Sequence, residues 1–184
     1  SAPTPVSYDV LESYIRATRD FSGNPNSLHN LGLKSKALMN SAIKQISDIF
    51  NVLESEITFT SGATMSNNLA LIGTALANIK KGNHIIVSRL EHPSIYKICK
   101  YLESIGFEVS VVDNNEEGLI DFEDLKRLVR DDTILVSICA VNSETGVRQP
   151  LKMLRQIIKK ENINTIFHIS IKEIPCCYSY KNKG

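Results

Sequence analysis

Residues 58–71 read TFTSGATMSNNLAL, and the turn inside this stretch sets the architecture around it. Ile57 to Thr60 reads as a strand, and the residues beyond it read as a helix. Between them the chain turns through Ser61-Gly62 with no spare residue. The new helix therefore starts with Gly62, Ala63 and Thr64 in its first turn. A first turn carries unpaired N–H groups and a partial positive charge. Small residues there let an anion reach the backbone. Gly62 can adopt conformations closed to other residues, and Thr64 adds a hydroxyl. Two readings stay open at this point. One is a seat for a phosphate; the other is a plain cap in which Ser61 or Thr64 satisfies orphan amides.

Outward from this turn, helix and strand patterns alternate. Upstream, Val10, Leu11, Tyr14 and Ile15 suggest a helix ending near Phe21, followed by the loop SGNPNS (22–27). A longer helix is predicted from about Gly32 to Phe50, with Leu38, Ala42, Ile46, Ile49 and Phe50 on one side. Downstream, Met65, Leu69, Ile72 and Leu76 recur at helical spacing. HIIVS (84–88) is a short apolar run suited to a strand covered on both faces. A helix over Ser94–Ser104 turns Ile95, Ile98, Cys99 and Leu102 inward and stops at Gly106. FEVSVV (107–112) alternates, Asp121 caps a helix holding Leu125, Leu128 and Val129, and TILVSICAV (133–141) is a buried strand. Pro150 opens a helix with Leu151, Leu154, Ile157 and Ile158, and TIFHI (165–169) is the next strand.

This order predicts an α/β fold, a mostly parallel sheet with helices on both faces. Ligands of such sheets sit at the carboxyl ends of the strands. Four short polar segments fall there: SGAT (61–64), EHP (91–93), NSE (142–144) and HIS (168–170). Their convergence on one sheet edge favours a bound phosphorylated ligand over plain capping. Neither GxGxxG nor GxxxxGK[ST] occurs, so a dinucleotide or P-loop site is not indicated.

Bulk properties narrow the function classes. Lys plus Arg number 21 against 20 for Asp plus Glu, a net charge of +1 that gives no case for nucleic acid or a membrane surface. No apolar run reaches the length of a membrane span, and the first residues show no signal-peptide pattern. Cys99, Cys139, Cys176 and Cys177 form no CxxC pair, and the four histidines show no metal-ligand spacing. Cys99 and Cys139 read as small core residues. The cytoplasm or an organelle matrix is the expected compartment.

With these residues in place, the chain resembles the cysteine desulfurases. These are class V aminotransferase relatives with the fold-type-I architecture that binds pyridoxal phosphate. Ala2-Pro3-Thr4-Pro5 is similar to the end of the family's Ala-Thr-Thr-Pro segment, and GNPNSLHNLG (23–32) to its Gly-Asn-Pro-Ser-Ser-x-His-x-x-Gly. ITFTSGATMSNNLAL (57–71) is similar to its phosphate segment, with Met65 where an acid is usual. HIIVSRLEHPSI (84–95), DDTILVSICAVNSETGVRQP (131–150) and IFH (166–168) follow at the expected spacings. The resemblance runs from residue 2 to about 168. It implies an incomplete fold-type-I large domain: an N-terminal arm or helix over 1–22, a partial cofactor-binding domain over 23–170, and a divergent tail over 171–184.

The resemblance also implies roles. Ala63 and Thr64 would hold the cofactor phosphate. His92 would stack on the pyridine ring and move protons, for which a near-neutral imidazole is suited. Taken alone, His92 reads as an ordinary loop histidine after a strand. Asn142 and Ser143 would lie near the ring hydroxyl, although the family carries a second asparagine where Ser143 stands. Alone, they read as a strand-to-loop turn. The family's His-x-Asp, whose carboxylate keeps the ring nitrogen protonated, is His168-Ile169-Ser170 here, and Glu173 stands where a glutamine is usual.

The family's lysine, which forms a Schiff base with the cofactor in a Ser-x-His-Lys segment, has no match. After Ser170 the sequence reads IKEIPCCYSYKNKG, too short for a further crossover of roughly a dozen residues and a strand. Lys181 echoes the motif without the preceding histidine and reads as a solvated tail lysine. Cys176 and Cys177 do not match the mobile-loop cysteine that takes sulfur. The expected function is therefore that of a cysteine desulfurase-like chain, truncated and inactive alone. The family reaction converts cysteine to alanine and passes a persulfide toward iron–sulfur cluster assembly. Cysteine as substrate, a homodimer and a sulfur-acceptor scaffold protein are the implied partners. A non-catalytic remnant that dimerises, and a selenocysteine lyase-type relative, stay as alternatives.

Overall fold

The computed structural model describes residues 5–142 and 144–171. They fall into two compact units that divide between Phe59 and Thr60.

The first unit is helical. It holds α1 (Tyr8–Asp20), α2 (Asn30–Phe50) and a single 3-10 turn, Glu54–Glu56. The second helix starts two residues before its predicted position because His29 is its N-cap, its Nδ1 accepting from the Gly32 amide at 3.2 Å. Its end is set by Asn51 in the left-handed conformation, φ 52°. Ser35 Oγ donates to the Phe21 carbonyl at 3.0 Å and ties α2 to the end of α1. The apolar residues predicted along α2 stay largely exposed, Ile49 and Phe50 among them; Gly32, Ser35 and Ser47 are its buried positions.

The second unit contains α3 (Ala63–Asn78), β1 (His84–Ser88), α4 (Pro93–Ser104), β2 (Glu108–Val112), α5 (Phe122–Leu128), β3 (Thr133–Cys139), α6 (Leu151–Glu161) and β4 (Ile166–Ser170). The strands form one sheet in the order β2-β1-β3-β4, with every pairing parallel. Ile85, Val87 and Leu135 pack with Leu71 and Ala75 of α3 and with Ile95, Ile98, Cys99 and Leu102 of α4. On the other face Ile86, Val136 and Ile138 pack with Leu125 of α5 and with Leu154 and Ile158 of α6. Alternation along β1 sends successive side chains to opposite cores; on β3, Ile134 and Leu135 join the same core, where the register with β1 shifts by one residue.

The placement of the helices follows from connection handedness. The step from β1 to β2 moves one way along the sheet; the steps to β3 and then β4 move the other way. Right-handed crossovers in opposite directions put their helices on opposite faces. The strand order reverses between β1 and β3, which opens a crevice above their carboxyl ends.

One predicted element is corrected. Residues 57–60 form no strand, although Ile57 has extended torsions of φ −98° and ψ 125°. No described strand pairs with it, and a strand exists only through its ladder. At the amino ends of the strands, His84 is fully buried, with Nδ1 2.8 Å from Thr133 Oγ1 and Nε2 2.9 Å from Ser110 Oγ. The ring thus ties β1 to both neighbours.

Gly82 lies just before β1, where a Cβ would stand 2.1 Å from the Asp132 carbonyl oxygen. Gly82→Ala is therefore expected to destabilise the chain by about 1–3 kcal/mol through forced backbone movement. Urea denaturation followed by circular dichroism measures this, and an unchanged midpoint would refute the close approach.

Candidate functional site

A cavity of about 720 Å³ lies over the switch point between β1 and β3. Its described lining includes Ala63, Glu91, His92, Asn142 and Ser170, so all four polar segments at the strand ends contribute to it. The volume is that of a small-molecule site.

The α3 end of the cavity has no side-chain cap. Gly62 holds φ 157° and ψ 173°, a region open essentially to glycine alone, and a Cβ there would meet nothing within 4 Å. Ser61, one of the two capping candidates, instead donates to Met65 Sδ at 3.2 Å, and the N-cap makes no side-chain hydrogen bond. Thr60 Oγ1 and Ser66 Oγ, 2.6 Å apart, brace the turn. Ala63 and Thr64 are both exposed. Ala63 lines the main cavity, whereas Thr64 lines an adjoining depression of about 380 Å³ that shares His92 and Pro93 with it.

His92 stands between these two spaces as the N-cap of α4. Its Nδ1 accepts from the Ser94 amide at 3.2 Å and lies 2.8 Å from Ser94 Oγ. An Nδ1 that accepts an amide proton carries none itself, so the neutral ring bears its proton on Nε2. Ser94 Oγ in turn accepts from Asn67 Nδ2 at 3.3 Å. Both Asn67 and Ser94 are buried, and this chain from α3 fixes the ring's tautomer and plane.

Asn142 serves its own loop. Its Oδ1 accepts from the amides of Glu144 and Thr145, each at 2.9 Å, and its Nδ2 donates to the Leu90 carbonyl at 3.2 Å. Among the described residues its second N–H has no hydrogen-bond acceptor. Ser143 lies outside the described residues, as do Glu173, Cys176, Cys177 and Lys181. His168 sits on β4 with Nδ1 2.9 Å from Ser137 Oγ, and burial holds its pKa below the usual histidine value.

Glu91 was not singled out by the sequence, although it lies in the EHP segment. It is 8% exposed, and burial pushes its carboxyl up to about 7 against the opposing effect of the Ser88 hydroxyl and nearby backbone amides. Asn67 and Ser94 were missed too. The apolar series Met65, Leu69 and Leu76, which is exposed, hides the face of α3 that carries Asn67, so the pattern gave no signal for this pair. Among the described residues that line the cavity there is no lysine, and no group of three or more His, Cys, Asp or Glu is placed to hold a metal.

The class-V aminotransferase family model matches residues 1–169. The chain is 42% identical over 154 residues to the cysteine desulfurase IscS 1 of Archaeoglobus fulgidus, covering 84% of this chain and 40% of that protein. It is 41% identical over 163 residues to the cysteine desulfurase IscS of Methanosarcina thermophila, covering 89% of this chain and 40% of that one. Among solved structures, a NifS-like protein superposes with a TM-score of 0.87 at 39% identity, over 91% of this chain and 46% of its own. The chain thus spans less than half the length of these relatives.

Proposed function

Because this chain belongs to the class-V aminotransferase family, we propose that it carries the amino-terminal, cofactor-binding part of a pyridoxal-phosphate-dependent cysteine desulfurase. The observation that carries this reading is that the uncapped start of α3 and the fixed ring of His92 face one cavity at the switch point.

The residues present fit the cofactor at two places. The first-turn amides at Ala63 and Thr64, beside the open face of Gly62, suit a phosphoryl group. His92, held by Ser94 and Asn67, offers a flat face to an aromatic ring and a proton at Nε2. Asn142 keeps the loop after β3 in place and has one N–H left for a ring substituent. When bound, the cofactor supplies an electron sink for bond cleavage at the substrate amino acid. Net, cysteine and an acceptor thiol give alanine and a persulfide: the cysteine C–S bond breaks and a new S–S bond forms. Ser143 near the ring hydroxyl, dimerisation, a sulfur-acceptor scaffold and a place in iron–sulfur cluster assembly belong to the same proposal. So does a site in the cytoplasm or an organelle matrix. No described helix is long and apolar enough to cross a membrane.

The purified chain is expected to show saturable spectral change with pyridoxal phosphate, weakened by inorganic phosphate. With cysteine added it is expected to release no alanine. Borohydride treatment is expected to leave no cofactor fixed to the protein. Absence of saturable binding would refute the cofactor reading; turnover by the chain alone, or a cofactor-labelled lysine peptide, would refute its incompleteness.

A further inference from the structure

The ring proton of His92 is governed from a helix that does not carry the ring. Nδ1 of His92 accepts from the Ser94 backbone amide at 3.2 Å. A backbone amide can only donate, so Nδ1 is an acceptor. The Ser94 hydroxyl, 2.8 Å from the same nitrogen, therefore donates to it. Its single hydrogen is then used, and towards its other neighbour Ser94 Oγ can only accept. That neighbour is Asn67 Nδ2 at 3.3 Å. The bonds thus run one way, from Asn67 on α3 through Ser94 on α4 to the ring.

Asn67 and Ser94 are each 8% exposed, which leaves little room for water to stand in for either link. Among the described residues Nε2 of His92 has no partner, and it is not one of the buried atoms left without one. The ring borders the main cavity and the adjoining depression. An oxygen in place of the Asn67 amide nitrogen would reverse the run. Ser94 would turn its hydrogen to that oxygen and a lone pair to Nδ1. The ring would answer by carrying its proton on Nδ1, and Nε2 would be left bare.

We propose that Asn67 is a positioning residue for the His92 proton. By donating to Ser94 Oγ it keeps the hydroxyl hydrogen on Nδ1, and so keeps Nε2–H as the donor that the site offers. Asn67 in this role needs no contact with a ligand. The use of that donor on a substrate or cofactor rests on the cofactor reading above; the relay itself does not.

The test is nuclear magnetic resonance of the full chain with nitrogen-labelled histidine, without ligand, in buffer above the ordinary histidine range. Long-range proton–nitrogen correlation reads each ring nitrogen, a bare one resonating well downfield of a protonated one. The signals lost in His92→Gln identify the ring. The unaltered chain is expected to show a bare Nδ1 and a protonated Nε2. Asn67→Leu removes the amide at similar volume. It is expected to move Nδ1 further downfield, because the hydroxyl bond it receives is no longer reinforced. Asn67→Asp is expected to exchange the two signals. A bond to a carboxylate is roughly twice as strong as a neutral one and outweighs the long Ser94 amide contact. Adding Ser94→Ala to Asn67→Asp cuts the link and is expected to abolish the exchange. A proton on Nδ1 in the unaltered chain overturns the assignment. So does an unmoved Nδ1 in Asn67→Leu, unexchanged signals in a folded Asn67→Asp chain, or an exchange that survives Ser94→Ala. Should Asn67→Asp not fold, Asn67→Leu decides alone. Equilibrium dialysis with pyridoxal phosphate tests the cofactor reading separately, and failure there leaves the relay standing.

Discussion

Raising the pH from below 4.5 to above 7 is expected to make Glu91→Gln gain roughly 3 kcal/mol of stability relative to the parent. The Glu91 carboxyl is pushed from 4.5 up to about 7 in the folded chain, chiefly by burial. Below 4.5 it is protonated in both states and has no pH-dependent effect. Between 4.5 and about 7 the unfolded chain releases this proton while the folded chain keeps it, so the parent loses stability as pH rises. Above that window the loss is complete, and a shift of this size corresponds to roughly 3 kcal/mol. Glutamine resembles the protonated form at every pH and shows no such loss. His84 and His168, whose pKa values are lowered by burial, act in the opposite sense. Folded, they take up their protons less readily than when unfolded, so they withdraw stability as pH falls below about 6.5. Both are present in parent and variant, and the difference between the two urea-denaturation series isolates Glu91. A difference that stays flat across the window would show that this carboxyl titrates normally.

The second large effect is expected at Leu135→Ala. Leu135 is fully buried on β3, a central strand, where it faces α3 and α4 beside Ile85 and Val87. Truncating such a side chain costs about 2–5 kcal/mol from lost burial and the cavity left behind. Domain stabilities are only about 5–15 kcal/mol. The variant is therefore expected to lose a large share of its folded margin and, with it, the carboxyl end of β3 that carries Cys139 and Asn142 to the site. Met65→Ala serves as the contrast. Met65 is 52% exposed on α3 and should change stability by no more than about 0.5 kcal/mol. Chemical denaturation of both variants decides the matter, and equal losses would contradict the burial pattern.

Those two residues also show where sequence patterning was ambiguous. Met65, Leu69, Ile72 and Leu76 form an apolar series at helical spacing, yet Met65, Leu69 and Leu76 are exposed. The buried stripe of α3 is Asn67, Leu71 and Ala75. The helix is apolar on more than one side, so periodicity did not single out the inward face, and Asn67 disguised the true one. On α4 the polar face is clear, and Ile95, Ile98, Cys99 and Leu102 are buried as predicted. The site divides in the same way. EHP and HIS were legible as segments at strand ends. The roles of Glu91, Ser94 and Asn67 depend on which of their atoms find partners, and composition carries no trace of that.

The order of helices and strands, the parallel sheet they build and the set of turns at its carboxyl edge were readable from the residues alone. These are local consequences of hydrophobic spacing, caps and breakers, which act over a few residues. Three features came only with the folded chain: residues 57–60 go without a ladder, Asn67 reaches Ser94 and through it His92, and the Glu91 carboxylate is buried beside the site. Each of these depends on what distant parts of the chain bring alongside. Strand pairing, hydrogen-bond closure and desolvation are properties of neighbours in space, and a linear pattern does not specify them.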